Sequence, residues 1–191
     1  MGLWGNKRSP AAGTAVQLRD GERHPFGMLE RYVPLRNGEF ELYRSIREAV
    51  PVIDAAIWKL VRLAGGVRVR CGEAAAQEGL DRFLRQVNTG RGQRGLQAFL
   101  DEYLDTMMTC GRAVGEIVLD WRRGEIAAVL CGDPAGVEIQ EGKSPLEFTL
   151  CGRGEGGTLQ ALPWQELLLF TPFQPEVGSP YGVSLLRSMP F

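Results

Sequence analysis

The hydrophobic pattern is clearest between residues 94 and 121, which predict an amphipathic helix followed by a strand. Large apolar side chains recur there three or four positions apart, the spacing that places them on one helix face. They are Leu96, Phe99, Leu100, Tyr103, Leu104, Met107 and Met108. Gly111 is suited to end this helix because glycine readily adopts the left-handed conformation. From Ala113 apolar residues alternate with a period of two, which is typical of a strand, so an α+β fold is predicted.

The chain before this stretch predicts further helices. They are expected at residues 41–49, 51–64 and 79–87, and Pro51 suits the first turn of the second one. That helix is expected to bury one apolar face, formed by Ile53, Ile57, Leu60, Val61 and Ala64. A strand is expected at residues 67–71, because Val and Arg alternate there.

The chain after Trp121 predicts a small, mainly antiparallel meander. Turn residues separate short apolar or alternating runs, as in successive hairpins. The strands are expected at residues 125–130, 137–140, 147–151, 158–162 and 167–170. The N-terminal helices and the long amphipathic helix are expected to pack on this meander and to share one core with it.

Composition adds the domain organisation. The 191 residues are 44% hydrophobic, which is ordinary for a globular chain. Residues 1–27 combine Gly, Pro and basic side chains with little periodicity and predict a flexible basic arm. Residues 28–191 are expected to form a single α+β domain. A net charge of −1 gives no overall attraction to nucleic acid or lipid. No signal peptide or membrane span is predicted, so a soluble cytoplasmic protein without a membrane partner is expected.

Residues that could bind a metal are scattered along the sequence. Cys71, Cys110, Cys131 and Cys151 form no CxxC pair, and His24 is the only histidine. Zinc ligands usually occur as close pairs. Four reduced, mostly buried thiols and no metal site are therefore expected.

A catalytic nucleophile is not apparent either. Ser184 follows Gly182 as in a nucleophile elbow, but Leu186 stands where that motif requires glycine. The sole histidine lies in the predicted arm, so no Ser-His pair can be assembled. We therefore expect no catalytic residue, no cofactor and no enzymatic activity.

Gly90–Gly95 matches the pattern GxGxxG. The dinucleotide fingerprint needs a strand before it, whereas a helix is predicted here, so a flexible link is favoured. A small nucleotide- or anion-binding enzyme domain that uses this loop is the alternative function.

Asp101 and Asp105 lie one helical turn apart and could bind a cation, but an exposed acidic face is favoured.

The most basic short region contains four arginines, Arg82, Arg85, Arg91 and Arg94. Their side chains are candidates for contact with a phosphate backbone or with an acidic surface of a neighbouring subunit. A solvated surface without a partner is the other interpretation.

Three phrases of the sequence, in this order, resemble the portal proteins of tailed double-stranded DNA phages. Residues 42–57, LYRSI through VPVIDAAI, resemble the opening helices of the family. Residues 96–113, a helix followed by Gly-Arg-Ala, are similar to the family's step from a helix into a meander. Residues 173–186, which end in PYGVSLL, resemble the turn that begins the helix leading toward the stem.

The resemblance implies a structural component of a phage or prophage virion, with no catalytic residue of its own. Portal proteins form a ring, dodecameric in that family, at the capsid vertex through which DNA is packaged and ejected. The implied partners are other copies of the chain, the terminase large subunit, capsid or scaffold proteins and head-tail adaptor proteins. Double-stranded DNA passes through the full-length ring. The implied location is the capsid vertex, or the bacterial host cytoplasm during assembly.

Portal chains continue beyond the third phrase into a stem, a clip and a crown, whereas this sequence ends at Phe191. We therefore expect a wing-like portion of a portal that is monomeric or weakly associated on its own. A stand-alone interaction domain with a similar α+β core is a further alternative.

Overall fold

A computed structural model of the chain describes residues 38–66, 68–120, 122, 124–144, 147–153 and 158–187. It has an α+β fold, as the hydrophobic pattern predicts. The predicted basic arm at residues 1–27 lies outside the described residues.

The described helices lie before the main strands. They are α1 (Gly38–Ala49), α2 (Pro51–Ala64), α3 (Ala74–Gln86) and α4 (Leu96–Cys110). Pro51 occupies the first turn of α2, and Gly111 ends α4 with a φ of 77°, both as predicted. The third helix begins at Ala74 rather than residue 79, because three successive alanines favour helix.

The strands within the described residues form two sheets. In chain order they are β1 (Asn88–Gly90), β2 (Gln93–Arg94), β3 (Arg112–Asp120), β4 (Glu125–Gly132), β5 (Val137–Glu141), β6 (Phe148–Arg153), β7 (Leu159–Ala161) and β8 (Leu168–Pro172). The first sheet has the order β2-β1-β4-β3-β8 and is antiparallel except between β1 and β4. The second is an antiparallel meander in the order β5-β6-β7. Two short 3₁₀ turns, Pro134–Gly136 and Gln165–Leu167, precede β5 and β8.

Two predictions about the segments around α3 were wrong. Residues 68–71 form no strand but run along α3, where the Cys71 backbone N–H donates to Gln77. Residues 88–95 are not a flexible link. They form the β1–β2 hairpin, in which Asn88 pairs with Arg94 and Gly90 with Gln93.

In the part of the chain that the structure describes, the core consists of two clusters rather than the one expected, and α4 contributes to both. Its predicted apolar face is confirmed, since every member belongs to or packs against one of the clusters. The first cluster contains Phe40, Tyr43, Ile57, Val61, Met108, Cys110 and Leu186. The second contains Val87, Phe99, Tyr103, Ala113 and Val129. On α2 the predicted buried face is only partly correct, because Leu60 and Ala64 are exposed.

The second sheet is attached beside β8 and β3. The ring centroids of Phe148 in β6 and Phe170 in β8 lie 5.5 Å apart. Arg112 in β3 donates from Nη2 to the carbonyl oxygen of Val137 at the start of β5, at 3.2 Å. The second sheet therefore contacts the first sheet at β8 and at the start of β3.

Candidate interaction site

The three sequence phrases meet at one buried place, which we call the motif junction. Tyr43 and Ile57 of the first phrase, Met108 of the second and Leu186 of the third belong to the same hydrophobic cluster. Leu186 is completely buried although it lies close to the last described residue. Burial of large apolar side chains is the dominant source of stability, so the junction holds the ends of the described chain together.

The second and third phrases also touch through their glycines. The Phe173 N–H donates to the Gly111 carbonyl oxygen at 2.8 Å, and the Val183 N–H donates to the Phe173 carbonyl oxygen at 2.7 Å. A Cβ atom placed on Gly182 would overlap the Gly111 carbonyl oxygen. Only glycine at position 182 therefore allows the two backbones to approach this closely.

Ser184 closes the C-terminal end of α4. Its hydroxyl donates to the Thr109 carbonyl oxygen at 2.6 Å and accepts from the Leu186 N–H at 3.0 Å. The Leu185 N–H donates to the Met108 carbonyl oxygen at 3.0 Å. The last carbonyls of a helix lack partners within the helix, and the third phrase supplies them. The buried hydroxyl of Ser184 thus has a structural role.

A network centred on Arg47 joins three helices beside the junction. Its Nη1 donates to Asp105 Oδ2 at 2.8 Å and to Thr109 Oγ1 at 2.7 Å, and its Nε donates to Asp54 Oδ1 at 2.9 Å. Burial lowers the pKa of Arg47, but the bonds to the two carboxylates outweigh burial and raise it. The prediction of an exposed acidic face is thus wrong for Asp105, whose side chain is only 21% exposed.

Asp101 does not join Asp105 in a site. Its carboxylate accepts from Gln97 Nε2 at 2.8 Å on the exposed side of α4. Among the described residues no group of three or more His, Cys, Asp or Glu side chains is placed to hold a metal ion.

Arg112 is a buried cation that links the two sheets. It is 8% exposed, and its Nη2 also donates to the Pro134 carbonyl oxygen at 3.1 Å. Its guanidinium lies 5.1 Å from the centre of the Phe40 ring, a cation–π distance. Burial lowers the pKa of Arg112. The partners of this guanidinium are therefore backbone carbonyl oxygens and an aromatic ring.

The four predicted arginines all lie at the surface, on adjoining elements. Arg82 and Arg85 are exposed on α3, Arg91 lies in the β1–β2 turn and Arg94 lies on β2. The Gly95 N–H donates to the Val87 carbonyl oxygen at 2.8 Å, which holds the end of β2 beside the end of α3. Arg82 forms an exposed ion pair with Glu78 at 3.4 Å.

Two further arginines, Arg68 and Arg70, were missed as site residues because the strand prediction placed them elsewhere. Both line a groove of about 470 Å³ along α3, together with Gln77, Asp81 and Leu84. We call the six exposed guanidinium groups around α3 the basic surface. They belong to Arg68, Arg70, Arg82, Arg85, Arg91 and Arg94. A count of charges along the sequence could have found the two added members, since residues 66–95 contain six arginines and three carboxylates.

The glycines of the GxGxxG match do not form one phosphate-binding loop. Gly90 ends β1, Gly92 lies in the hairpin turn and Gly95 precedes α4. A dinucleotide loop instead brings its glycines around one pyrophosphate between a strand and a helix. The hairpin spreads the glycines along its length.

No protein-family model matches this chain, and no curated protein sequence matches it. None of the described helices is long and apolar enough to cross a membrane.

All four cysteines are free thiols. Cys71 is exposed, Cys131 is half-buried, and Cys110 and Cys151 are buried.

Proposed function

We propose that this chain is a structural component of a phage or prophage portal, a wing-like part of the ring at the capsid vertex. The full ring would be the passage through which double-stranded DNA is packaged and ejected. The partners of the chain would be other copies of itself, the terminase large subunit, capsid or scaffold proteins and head-tail adaptor proteins. Its chemistry would be binding rather than catalysis.

The motif junction is the observation that supports this proposal best. The three phrases that resemble portal proteins lie far apart in sequence, yet Tyr43, Met108 and Leu186 share one cluster. A shared origin in one family requires the three phrases to fit together in one fold, and their packing in one cluster meets that requirement.

The position of the third phrase gives further support. The hydroxyl of Ser184 donates a hydrogen bond to the C-terminal end of α4. The motif therefore stabilises the fold. The α+β architecture, with helices beside small sheets, also agrees with the wing that the resemblance implies.

Gene order in the source genome tests the proposal without assuming any property of the isolated chain. We expect a terminase large-subunit gene immediately upstream and a head-maturation protease gene immediately downstream. A binding experiment adds a second measurement: the terminase large subunit from that locus should co-purify with this chain. A genomic neighbourhood without packaging or capsid genes, together with no terminase binding, would overturn the proposal.

A further inference from the structure

We infer that two copies of this chain bind head to tail, the basic surface of one copy against an acidic surface of the next. The inference rests on the proposed function, because it names the contact between copies that the proposed ring needs. The observation behind it is that basic and acidic side chains are concentrated in different parts of the described fold.

The second sheet and the segments around it carry the acidic surface. Residues 133–177 contain seven carboxylates and only two basic side chains, a net charge of −5. The exposed carboxylates that define the acidic surface are Glu141, Glu147, Glu166 and Glu176. Residues 66–95 have a net charge of +3, although the whole chain has −1. The near-neutral total therefore conceals two regions of opposite charge.

The two charged surfaces adjoin β2 and β8, which are the two edge strands of the first sheet. β2, which carries Arg94, is one edge strand, and β8 is the other. The second sheet is attached at the β8 edge through Phe148 and Phe170. A second copy in the same orientation could place its acidic surface against the basic surface of the first. Repetition of such a heterologous contact produces a ring if the rotation closes.

The acidic surface also presents apolar anchors that a partner can bury. Phe148 and Leu159 of the second sheet are exposed, and Trp164 in the following turn is 57% exposed. Trp164 has a positive φ of 49°, a strained conformation for a large side chain. Gln165 holds this turn, since its side chain bonds both the N–H and the carbonyl of Leu150, at 2.9 and 2.8 Å. Exposed tryptophans on rigid backbone are characteristic of binding hot spots.

Arginine and glutamate suit each other in such a contact. A guanidinium can bind a carboxylate through two parallel hydrogen bonds, which fixes orientation as well as distance. Exposed charges are screened by salt, so the association should weaken as ionic strength rises.

Charge reversal with mixing tests this contact. The variant Arg82→Glu/Arg85→Glu changes the net charge of residues 66–95 from +3 to −1, and Glu141→Arg/Glu147→Arg changes that of residues 133–177 from −5 to −1. In sedimentation equilibrium at about 50 mM NaCl we expect wild-type chains to associate, and about 500 mM NaCl to weaken this at least about tenfold. Each variant alone should associate at least about tenfold more weakly than wild type, and an equimolar mixture should recover the wild-type affinity.

A matched control uses Lys59→Glu/Arg62→Glu, which reverses two exposed charges of α2. It should associate like wild type. The substituted side chains are all exposed, and an unchanged melting temperature will verify that each variant folds. Variants that associate like wild type, or a mixture that stays dissociated, would overturn the inference.

Binding to a labelled DNA duplex separates a nucleic-acid partner from a second copy. If Arg82→Glu/Arg85→Glu loses DNA binding while self-association is unchanged, the basic surface serves DNA and the inference is wrong. Failure of the contact and failure of the proposed function can be told apart. Recovery of association in the mixture, without packaging genes nearby and without terminase binding, would support the contact and reject the portal. Packaging genes and terminase binding without recovery would reject only the contact.

Discussion

Gly182 shows how a single residue can be required by a part of the fold far away in sequence. Gly111 can be predicted as a helix end from its local context, and its φ of 77° confirms this. Gly182 has no such local signal, since its side-chain space is taken by the carbonyl oxygen of Gly111. The resemblance of its motif to portal proteins marked the position, but only the folded chain gives the physical reason.

Gly182→Ala should therefore destabilise the protein. A methyl group forced against a fixed backbone costs about 1–3 kcal/mol or more, because neither glycine backbone can move without breaking the bonds of Phe173. Urea unfolding will measure the change. Gly79→Ala is the control, since nothing lies within 4 Å of its Cβ position in α3. That substitution should stabilise by about 0.5–1 kcal/mol. Similar effects at both positions would contradict the packing described here.

The buried thiol of Cys110 makes stability depend on pH in the alkaline range. Burial raises the pKa of Cys110 from its ordinary value of 9.0 to about 11. Above pH 9.0 the unfolded chain loses this proton while the folded chain keeps it, so the contribution is complete below the unfolded pKa and lost as pH rises to about 11.

We therefore expect the free energy of unfolding to fall between about pH 9 and about pH 11. The decline should be smaller in Cys110→Ala. Burial also raises the pKa of Cys131, to about 12, so the Cys110→Ala variant keeps the part of the decline that comes from that thiol. Parallel pH profiles of the wild type and the variant would show that Cys110 ionises as freely in the folded state as in the unfolded state.

At the scale of elements, α2 shows the limit of a hydrophobic pattern. The pattern predicts the helix correctly at residues 51–64, but apolar residues occur on nearly all of its sides. The pattern alone cannot select the buried face, because α2 packs against both α1 and α4. The contacts bury Ile57 and Val61 and leave Leu60 exposed.

Two substitutions in α2 test this selection. Val61 is 0% exposed and Leu63 is 75% exposed, two positions apart on the same helix. Val61→Asp should abolish cooperative unfolding, because it buries an unpaired charge. Leu63→Asp should change the free energy of unfolding by no more than about 0.5 kcal/mol. Thermal unfolding followed by circular dichroism distinguishes the two, and a loss of structure in Leu63→Asp would show that the exposed face of α2 is needed for folding.

The hairpin at residues 88–94 was missed for a related reason. β1 has three residues and β2 has two, which is too short to show a period of two. Its strands exist because β1 pairs with β4, a partner that lies far away in sequence. The error at residues 68–71 is the opposite one. Their alternation predicts a strand, but no neighbouring strand pairs with them.

At the scale of the whole molecule, charge is distributed more unevenly than the totals indicate. The excess of arginine around α3 and of glutamate around the second sheet can be counted from the sequence. The two regions adjoin β2 and β8, which the strand order β2-β1-β4-β3-β8 makes the two edge strands of the first sheet. That order depends on pairings between distant residues, which no local pattern contains.

The alternative of a small nucleotide-binding enzyme domain makes a different prediction at this scale. Because the glycines of residues 90–95 are spread along a hairpin, we expect ATP, NAD and coenzyme A at about 1 mM to leave the melting temperature within about 1 °C. A thermal shift assay with each compound measures this. A rise of several degrees with any of them would favour the enzyme domain over the portal proposal.

The sequence by itself determined the α+β class, the helices at 51–64 and 96–110, the glycine stop at 111 and the hairpins β3–β4 and β6–β7. These features depend on neighbours within about one helical turn or one hairpin, so local spacing is sufficient. Only the tertiary structure decided which face of α2 is buried, why Gly182 must be glycine, and where the two charged surfaces lie. Those depend on contacts between distant segments, such as the pairing of β3 with β8 and the packing of Leu186 against Met108.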